Sequence, residues 1–322
     1  MSERSSHRAI TRRRSGRIAV SGVALLSLFA LVGCGSSTGA SVSPSAAAPS
    51  SAAPSPSASA SASAEPSASS AEVQDLAVTG TDFAFDAPAT TPAGPTKITL
   101  TNEGQEEHQA QVAGIMTGNT FEDLTAALQA NDEVAALGML ELSGGPTGVV
   151  PGASGSTTGN LEPGQYVFLC FVRSPDGVPH FAKGMIAPLE VTEPSSTAEL
   201  PEGDAELALQ DFAFVGLETV DAGPQTITVT NNGPQPHEAT IVKLAEGVDA
   251  AALVGMFNST EAPSGPPPFT SAGGVAGVAN GQTVTMDVDL EPGSYAFVCF
   301  VPDPASGKPH AALGMVGPLT VE

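Results

Sequence analysis

The sequence predicts an all-β protein made of two tandem Greek-key β-sandwiches, each carrying a short helical insertion. Two observations carry this prediction. Short runs of β-branched and apolar residues alternate with polar ones and end at Gly, Pro or Asn, the pattern of sandwich strands joined by tight turns. The second half of the chain also repeats the first. Asp82-Phe83-Ala84-Phe85 recurs as Asp211-Phe212-Ala213-Phe214, and Ala93-Gly94-Pro95 recurs as Ala222-Gly223-Pro224. Leu161-Glu162-Pro163-Gly164-Gln165-Tyr166 returns as Leu290-Glu291-Pro292-Gly293-Ser294-Tyr295. Each unit has about 120 residues, the size of a domain with its own core. The units are placed at residues 73–193 and 199–322, with the boundary inside the polar stretch Glu193 to Asp204.

Ahead of the repeat, residues 1–33 read as an export signal. Arg12, Arg13, Arg14 and Arg17 precede an apolar run of 14 residues, Ile18 to Leu31, too short for a comfortable bilayer span. The Arg12-Arg13 pair also fits a twin-arginine signal, without the apolar residues that usually follow such a pair. Leu31-Val32-Gly33-Cys34 resembles the bacterial lipobox, so Cys34 is expected to be diacylated and to anchor the chain in a membrane. From Cys34 to residue 72 the chain is almost entirely Ser, Ala and Pro. Such a segment buries too little apolar surface to offset its ordering entropy and is expected to act as a disordered tether. The expected location is therefore extracytoplasmic, at the cell membrane and held by lipid.

Charge narrows the partners. Six of the eleven basic residues lie in the signal, leaving 5 Lys and Arg against 33 Asp and Glu after residue 33, a net charge of −28. Nucleic acid and anionic lipid surfaces are poor partners for this chain, whereas a cationic protein would be steered towards it.

Within each unit, a Pro-Gly turn leads into a strand of period two, which puts Tyr166, Phe168 and Cys170 on one face and Tyr295, Phe297 and Cys299 on one face. A tyrosine after this turn can pin a sandwich corner by hydrogen-bonding back to the backbone. The helical insertion of the first unit is expected between Thr120 and Leu140, where Phe121, Leu124 and Leu128 fall at helical spacing behind a Thr120/Asp123 cap. A shorter counterpart spans Asp249 to Phe257. Cys170 and Cys299 occupy equivalent strand positions that face separate interiors, so a disulfide between them is not expected.

The four histidines after the signal join the repeat with cysteine and methionine. His108, Cys170, His180 and Met185 recur as His237, Cys299, His310 and Met315, offset by 129 residues for the first two and 130 for the others. Two imidazoles, a thiolate and a thioether are the ligands of a type 1 (blue) copper site. Zinc suits them less, because its sites rarely use a thioether. One ligand comes from a turn after an early strand (Asn102 to His108; Asn231 to His237), and three come from one late loop with the ending His-x-x-x-Gly-Met.

On the Asn-Gly turn to His, the Pro-Gly-x-Tyr-x-Phe-x-Cys strand and the His-x-x-x-Gly-Met ending, residues 73–322 resemble the cupredoxins, the plastocyanin and azurin family. The resemblance implies one copper per unit, two per chain. The thiolates would be Cys170 and Cys299, the imidazoles His108, His180, His237 and His310, and the axial thioethers Met185 and Met315. One departure is the length of the ligand loop. Nine residues separate Cys170 from His180 and ten separate Cys299 from His310, against two to four in small cupredoxins. The type 1 domain of copper nitrite reductases has a comparably long loop. Asp176-Gly177 and Ser306-Gly307 are expected to make tight turns that bring it back. Apolar residues around the loop histidines, such as Val178 and Ala311, are expected to form a docking patch near an exposed imidazole edge.

The implied activity is electron transfer between redox partner proteins. The alternatives are a surface copper-binding or copper-sequestering lipoprotein and a metal-free protein-interaction module. Multicopper oxidases and nitrite reductases also use tandem domains of this kind but need further histidines for a second type of copper centre. All four histidines beyond the signal are already assigned, so the chain is not expected to be an enzyme.

Overall fold

The computed structural model describes residues 72–130, 133–194, 197–259 and 265–322. The predicted signal, Cys34 and the tether up to residue 71 lie outside the described residues.

The first lobe runs β1 (Gln74–Thr81), β2 (Ala84–Asp86), β3 (Thr90–Pro92), β4 (Gly94–Asn102) and β5 (Gln111–Ile115). It continues through α1 (Phe121–Gln129), α2 (Glu133–Leu137), β6 (Leu140–Leu142), β7 (Ser154–Leu161), β8 (Gly164–Leu169) and β9 (Ile186–Thr192). The second lobe begins with β10 (Ala205–Gln210), β11 (Ala213–Val215), β12 (Thr219–Val220), β13 (Gly223–Asn231) and β14 (His237–Leu244). It ends with α3 (Ala250–Phe257), β15 (Phe269–Val278), β16 (Thr283–Leu290), β17 (Gly293–Val298) and β18 (Val316–Val321). Each lobe is a sandwich. In the first, β2-β1-β4-β7 faces β3-β9-β8-β5-β6; in the second, β11-β10-β13-β16 faces β12-β18-β17-β14-β15.

Alternation explains the layers. In β1, Leu76 and Val78 are buried at every second position and meet Ile98 and Leu100 of β4 and Phe168 of β8 in the first core. The central strand β8 is buried on both faces. Its other set, Val167 and Leu169, packs outwards on Leu124, Ala136 and Phe181 beneath the helical insertion. The second lobe repeats this with Phe297 inwards and Ala296 and Val298 outwards against Leu253. The expected tyrosine corners are present: Tyr166 Oη accepts from the Glu162 amide at 3.2 Å, and Tyr295 Oη donates to the Glu291 carbonyl at 3.0 Å.

The helical pattern between Thr120 and Leu140 forms two helices rather than one. Thr120 and Asp123 cap α1 reciprocally, with bonds of 3.0 and 3.1 Å. The poor helix formers Asn131 and Asp132 then separate it in sequence from α2. Asp249 caps α3 by accepting from the Ala252 amide at 2.8 Å.

The lobes were expected as separate sandwiches, but one sheet is continuous between them and a bridging segment ties the other two sheets together. Strand β7 pairs antiparallel with β16, Thr157 opposite Met286. In the other layer, Ser143–Gly148 lies along β15: Gly144 N–H donates to Gly277 O and Ala276 N–H to Gly145 O, each at 2.8 Å, with Pro146 opposite Val275. Thr157 and Met286 are 129 residues apart, and so are Pro146 and Val275. Equivalent residues therefore meet each other on a pseudo-two-fold axis, as in an isologous dimer made within one chain.

Candidate metal centres

A buried asparagine builds each early-strand ligand. Asn102 Nδ2 donates to the carbonyls of Glu106 at 2.8 Å and Val149 at 2.7 Å, while its Oδ1 accepts from Gly104 N–H at 2.8 Å. Asn231 clamps Gln235, Val278 and Gly233 in the same way at 2.8, 2.8 and 2.9 Å. The clamped turn fixes where the chain re-enters the sandwich, and His108 and His237 point inwards from that place.

The late loop closes on itself. Cys170 follows β8; its amide donates to Met185 O at 3.3 Å and its carbonyl accepts from Phe181 N–H at 2.9 Å. His180 opens a 3-10 turn, His180–Lys183, and Met185 N–H returns to His180 O at 2.9 Å. Cys299, His310 and Met315 repeat these bonds at 3.3, 2.8 and 2.9 Å. The extra loop length is tied off to the side. Gly177 (φ 81°) turns the chain, Ser174 N–H bonds Val178 O at 3.1 Å, and Arg173 pairs with Pro179. In the second lobe Asp303 receives Ser306 N–H at 2.8 Å, and Pro302 pairs with Pro309.

The predicted residues converge. His108 Nδ1 lies 3.2 Å from His180 Nδ1, and Cys170 Sγ lies 3.4 Å from His180 Nδ1. In the second lobe the imidazole nitrogens are 3.0 Å apart, and Cys299 Sγ is 3.4 Å from His310 Nδ1 and 4.0 Å from His237 Nδ1. All six of these residues, with Met185 and Met315, are fully buried. The Met185 methyl and the His108 ring meet over the same point beside Gly80. Met315 packs in the core that contains Cys299. Cys170 and Cys299 are both free, as expected.

One candidate ligand from the early strand and three from the loop of the last hairpin lie together in each lobe. Each lobe is cupredoxin-like. No protein-family model and no curated protein matches the chain. Solved structures do match it. An auracyanin from Roseiflexus castenholzii is 29% identical over 36% of this chain and 94% of its own, with a TM-score of 0.26. The blue copper protein auracyanin A from Chloroflexus aurantiacus is 23% identical over 36% of this chain and 99% of its own, with a TM-score of 0.25. Copper nitrite reductase from Nitrosomonas europaea is 15% identical over 78% of this chain and 94% of its own, with a TM-score of 0.23. Strand order and the meeting of His, Cys and His side chains in each lobe are what make the lobes cupredoxin-like.

The outer imidazole nitrogens show what the inner ones are for. His108 Nε2 is 3.1 Å from Asp82 Oδ1 and His180 Nε2 is 3.0 Å from Glu106 Oε2. His237 Nε2 is 2.8 Å from Asp211 Oδ1 and His310 Nε2 is 3.2 Å from Gln235 Oε1. These acceptors hold the single imidazole proton on Nε2, so each Nδ1 presents a lone pair. Two lone pairs facing each other 3.0–3.2 Å apart in a buried site conflict, and the single cysteine thiol proton, 3.4 Å from one of them, can satisfy only one. A cation removes that conflict, and two metal–nitrogen bonds of about 2 Å at a near-tetrahedral angle give this spacing. An outer carboxylate on a ligand histidine is the usual support for a metal. The soft thiol and thioether then make the set one that fits copper.

Burial sets the protonation of these side chains. It pushes the Cys170 thiol up to about 12 and raises Cys299 too. It lowers His108 and His237, and with His237 alongside it lowers His310 to about 4. Metal uptake at these centres must therefore expel a thiol proton.

One feature differs from expectation. The loop imidazoles have no exposed edge: His180 and His310 are 0% exposed, covered by Phe83 at 4.8 Å and Phe212 at 5.1 Å between ring centres. Glu106 and Glu107, adjacent in the sequence before His108, part company. Glu106 reaches His180, whereas Glu107 is half-buried and bonds Ser271 of the other lobe, and its desolvation raises its pKa. The outer-nitrogen roles of Asp82, Asp211 and Gln235 were not read from the sequence. The repeated Asp-Phe-Ala-Phe motif held the signal for the two aspartates, since a strand repeat alone gives no reason to conserve a carboxylate with its following Phe between the two units.

Proposed function

We propose that the chain is a membrane-tethered, extracytoplasmic electron-transfer protein with one type 1 copper centre in each lobe. The observation that carries this is the pair of buried His2Cys clusters whose imidazole lone pairs face one another. In the first lobe the ion would be held by His108, Cys170, His180 and Met185, and in the second by His237, Cys299, His310 and Met315. Copper bound there supplies one-electron chemistry between Cu(I) and Cu(II). The protein's part is to hold the ligands still. Asp82, Glu106, Asp211 and Gln235 fix the imidazole rings from outside, and Phe83 and Phe212 keep water from the loop histidines. Complete burial of the ligands favours electron transfer over copper delivery, which requires a ligand able to swing out to a recipient.

The membrane tether rests on the sequence ending at Cys34, with the Ser/Ala/Pro segment as spacer. No helix among the described residues is long and apolar enough to cross a membrane. A carrier rather than an oxidase is favoured because every histidine after the signal is engaged in the two clusters. A cationic redox protein suits a partner of charge −28.

The test is the visible spectrum and copper count of residues 73–322 after addition of Cu(II). Two coppers per chain with intense red absorption, halved in Cys170→Ser and in Cys299→Ser, is the expected result. A colourless protein that takes up no copper overturns the proposal.

A further inference from the structure

We propose that the two centres exchange an electron within one molecule, through the backbone ladder that joins the lobes; this rests on the copper reading above. The route begins at the first thiolate. Cys170 Sγ receives the Gln109 amide at 3.4 Å, and the next residue, Ala110, donates its amide to Pro146 O at 2.8 Å. Pro146 lies opposite Val275 across the pseudo-two-fold axis, and the neighbouring Gly145 O receives Ala276 N–H at 2.8 Å. Val275 pairs with Ala239, whose neighbour Glu238 donates its amide to Cys299 Sγ at 3.5 Å. The path reads the same from either end, since each residue in one half has its partner 129 positions away in the other.

Three features make this ladder a conduit rather than incidental packing. It starts and ends on the sulfur atoms, the ligands that share electron density with copper most strongly. It crosses only three strand-to-strand steps between the residues contacting the two sulfurs, about 14 Å at ordinary sheet spacing. It is also rigid and dry. Ala110, Ala239, Val275 and Ala276 are fully buried, and the buried Gln111 Nε2 bonds carbonyls of both lobes, Gly144 O at 3.0 Å and Gly277 O at 2.9 Å. The carboxylate of Glu106 on His180, against the amide of Gln235 on His310, gives the exchange a direction. One electron leaves the first centre, which goes from Cu(I) to Cu(II). The same electron enters the second, which goes from Cu(II) to Cu(I), and no proton or bond needs to move.

The experiment uses the full chain with its copper counted. A photoexcited flavin delivers less than one electron per chain, and re-equilibration is followed by absorption and freeze-quench EPR at several protein concentrations. Met185→Gln is run beside the wild type, because a changed axial ligand marks the first centre spectroscopically. The expected result is a phase whose rate is independent of protein concentration and is missing from Cys170→Ser and Cys299→Ser. Ala276→Pro, which removes the amide donated to Gly145, is expected to slow that phase severalfold while both coppers and both potentials are kept. Re-equilibration that scales with concentration in a two-copper chain overturns the inference and leaves the copper reading intact. A chain that binds no copper overturns both. An unchanged rate in Ala276→Pro rejects the ladder as the route. Should that variant not fold, the concentration series on the intact chain still decides whether the exchange is intramolecular.

Discussion

At the scale of single residues, the outer acceptors of the four histidines differ between the two centres at one position. Glu106 Oε2 sits 3.0 Å from His180 Nε2, where the second lobe has Gln235 Oε1 at 3.2 Å from His310 Nε2. A carboxylate makes the imidazole more basic and adds negative charge, and both effects favour Cu(II). The first centre is therefore expected at the lower potential. Glu106→Gln should raise it and Gln235→Glu should lower the second. A tenfold change in relative stabilisation corresponds to about 59 mV for one electron. Redox titration of the three proteins checks this, and equal wild-type potentials that ignore Glu106→Gln would sink it. Protons give a second handle on the metal-free chain. His108, His237 and His310 are held by burial below their ordinary values, His310 at about 4. Below about pH 6.5 the unfolded chain takes up protons that these rings refuse, so they contribute stability that is lost as pH falls. Buried Glu238 acts oppositely. Raised to about 7, it binds a proton in the folded state before the unfolded chain does, and it offsets part of the loss as pH drops through 7. Glu238→Gln keeps an acceptor for the Phe300 amide (2.7 Å) and removes the offset. Its unfolding temperature should exceed wild type most at pH 8 and lose that margin towards pH 5. A margin that stays constant with pH would refute this assignment of Glu238.

At the scale of elements, the turn before each first histidine is the part that tolerates least. A Cβ on Gly233 would stand 2.7 Å from His237 Nε2 and 2.8 Å from Asp211 Oδ1, in the path of the hydrogen bond that orients the ring. Gly233→Ala should weaken copper binding at the second centre by roughly 10-fold or more and leave the first unchanged. Copper titration of Gly233→Ala in a Cys170→Ser background isolates the effect, and an unchanged affinity would contradict it. Asn231→Ala unties two carbonyls and one amide of the same turn, and should cost about 1–3 kcal/mol in urea unfolding. These elements also mark how far the sequence could be read. The strands, the tyrosine corners, the cap of α1 and the eight candidate ligands follow from local periodicity, turn residues and repetition. The outer partners of the histidines do not, because Asp82 and Asp211 lie 26 residues before His108 and His237 and meet them only once the sheets have folded. The covered imidazole edge was missed for the same reason. Phe83 reads as a strand residue, and its place on His180 depends on a turn 97 residues upstream of the ring.

At the scale of the molecule, the repeat makes a pseudo-dimer rather than two beads on a string. Sequence periodicity within a unit says nothing about edge strands, so the pairing of β7 with β16 and of Ser143–Gly148 with β15 had no local signature. Energetically the junction is more than a polar contact. Gln111 is buried with its amide shared between lobes, and Gly277 is packed so closely that a Cβ would meet Leu142 Cδ1 at 2.6 Å. The Lys97–Asp287 pair at 2.7 Å also crosses the junction, but both side chains are more than a third exposed, so it adds little. Opening either lobe would strip the other of a sheet neighbour and leave buried backbone amides unpaired. The two lobes are therefore expected to unfold together. Calorimetry of the metal-free chain should give one transition with equal calorimetric and van't Hoff enthalpies. Copper confined to the second centre by Cys170→Ser should then raise that single transition as a whole, because a ligand that binds only the folded state stabilises everything that unfolds with it. Two transitions, of which copper shifts only one, would mean that the junction does not couple the lobes. A single transition that moves intact would mean that each centre is held by the fold of both.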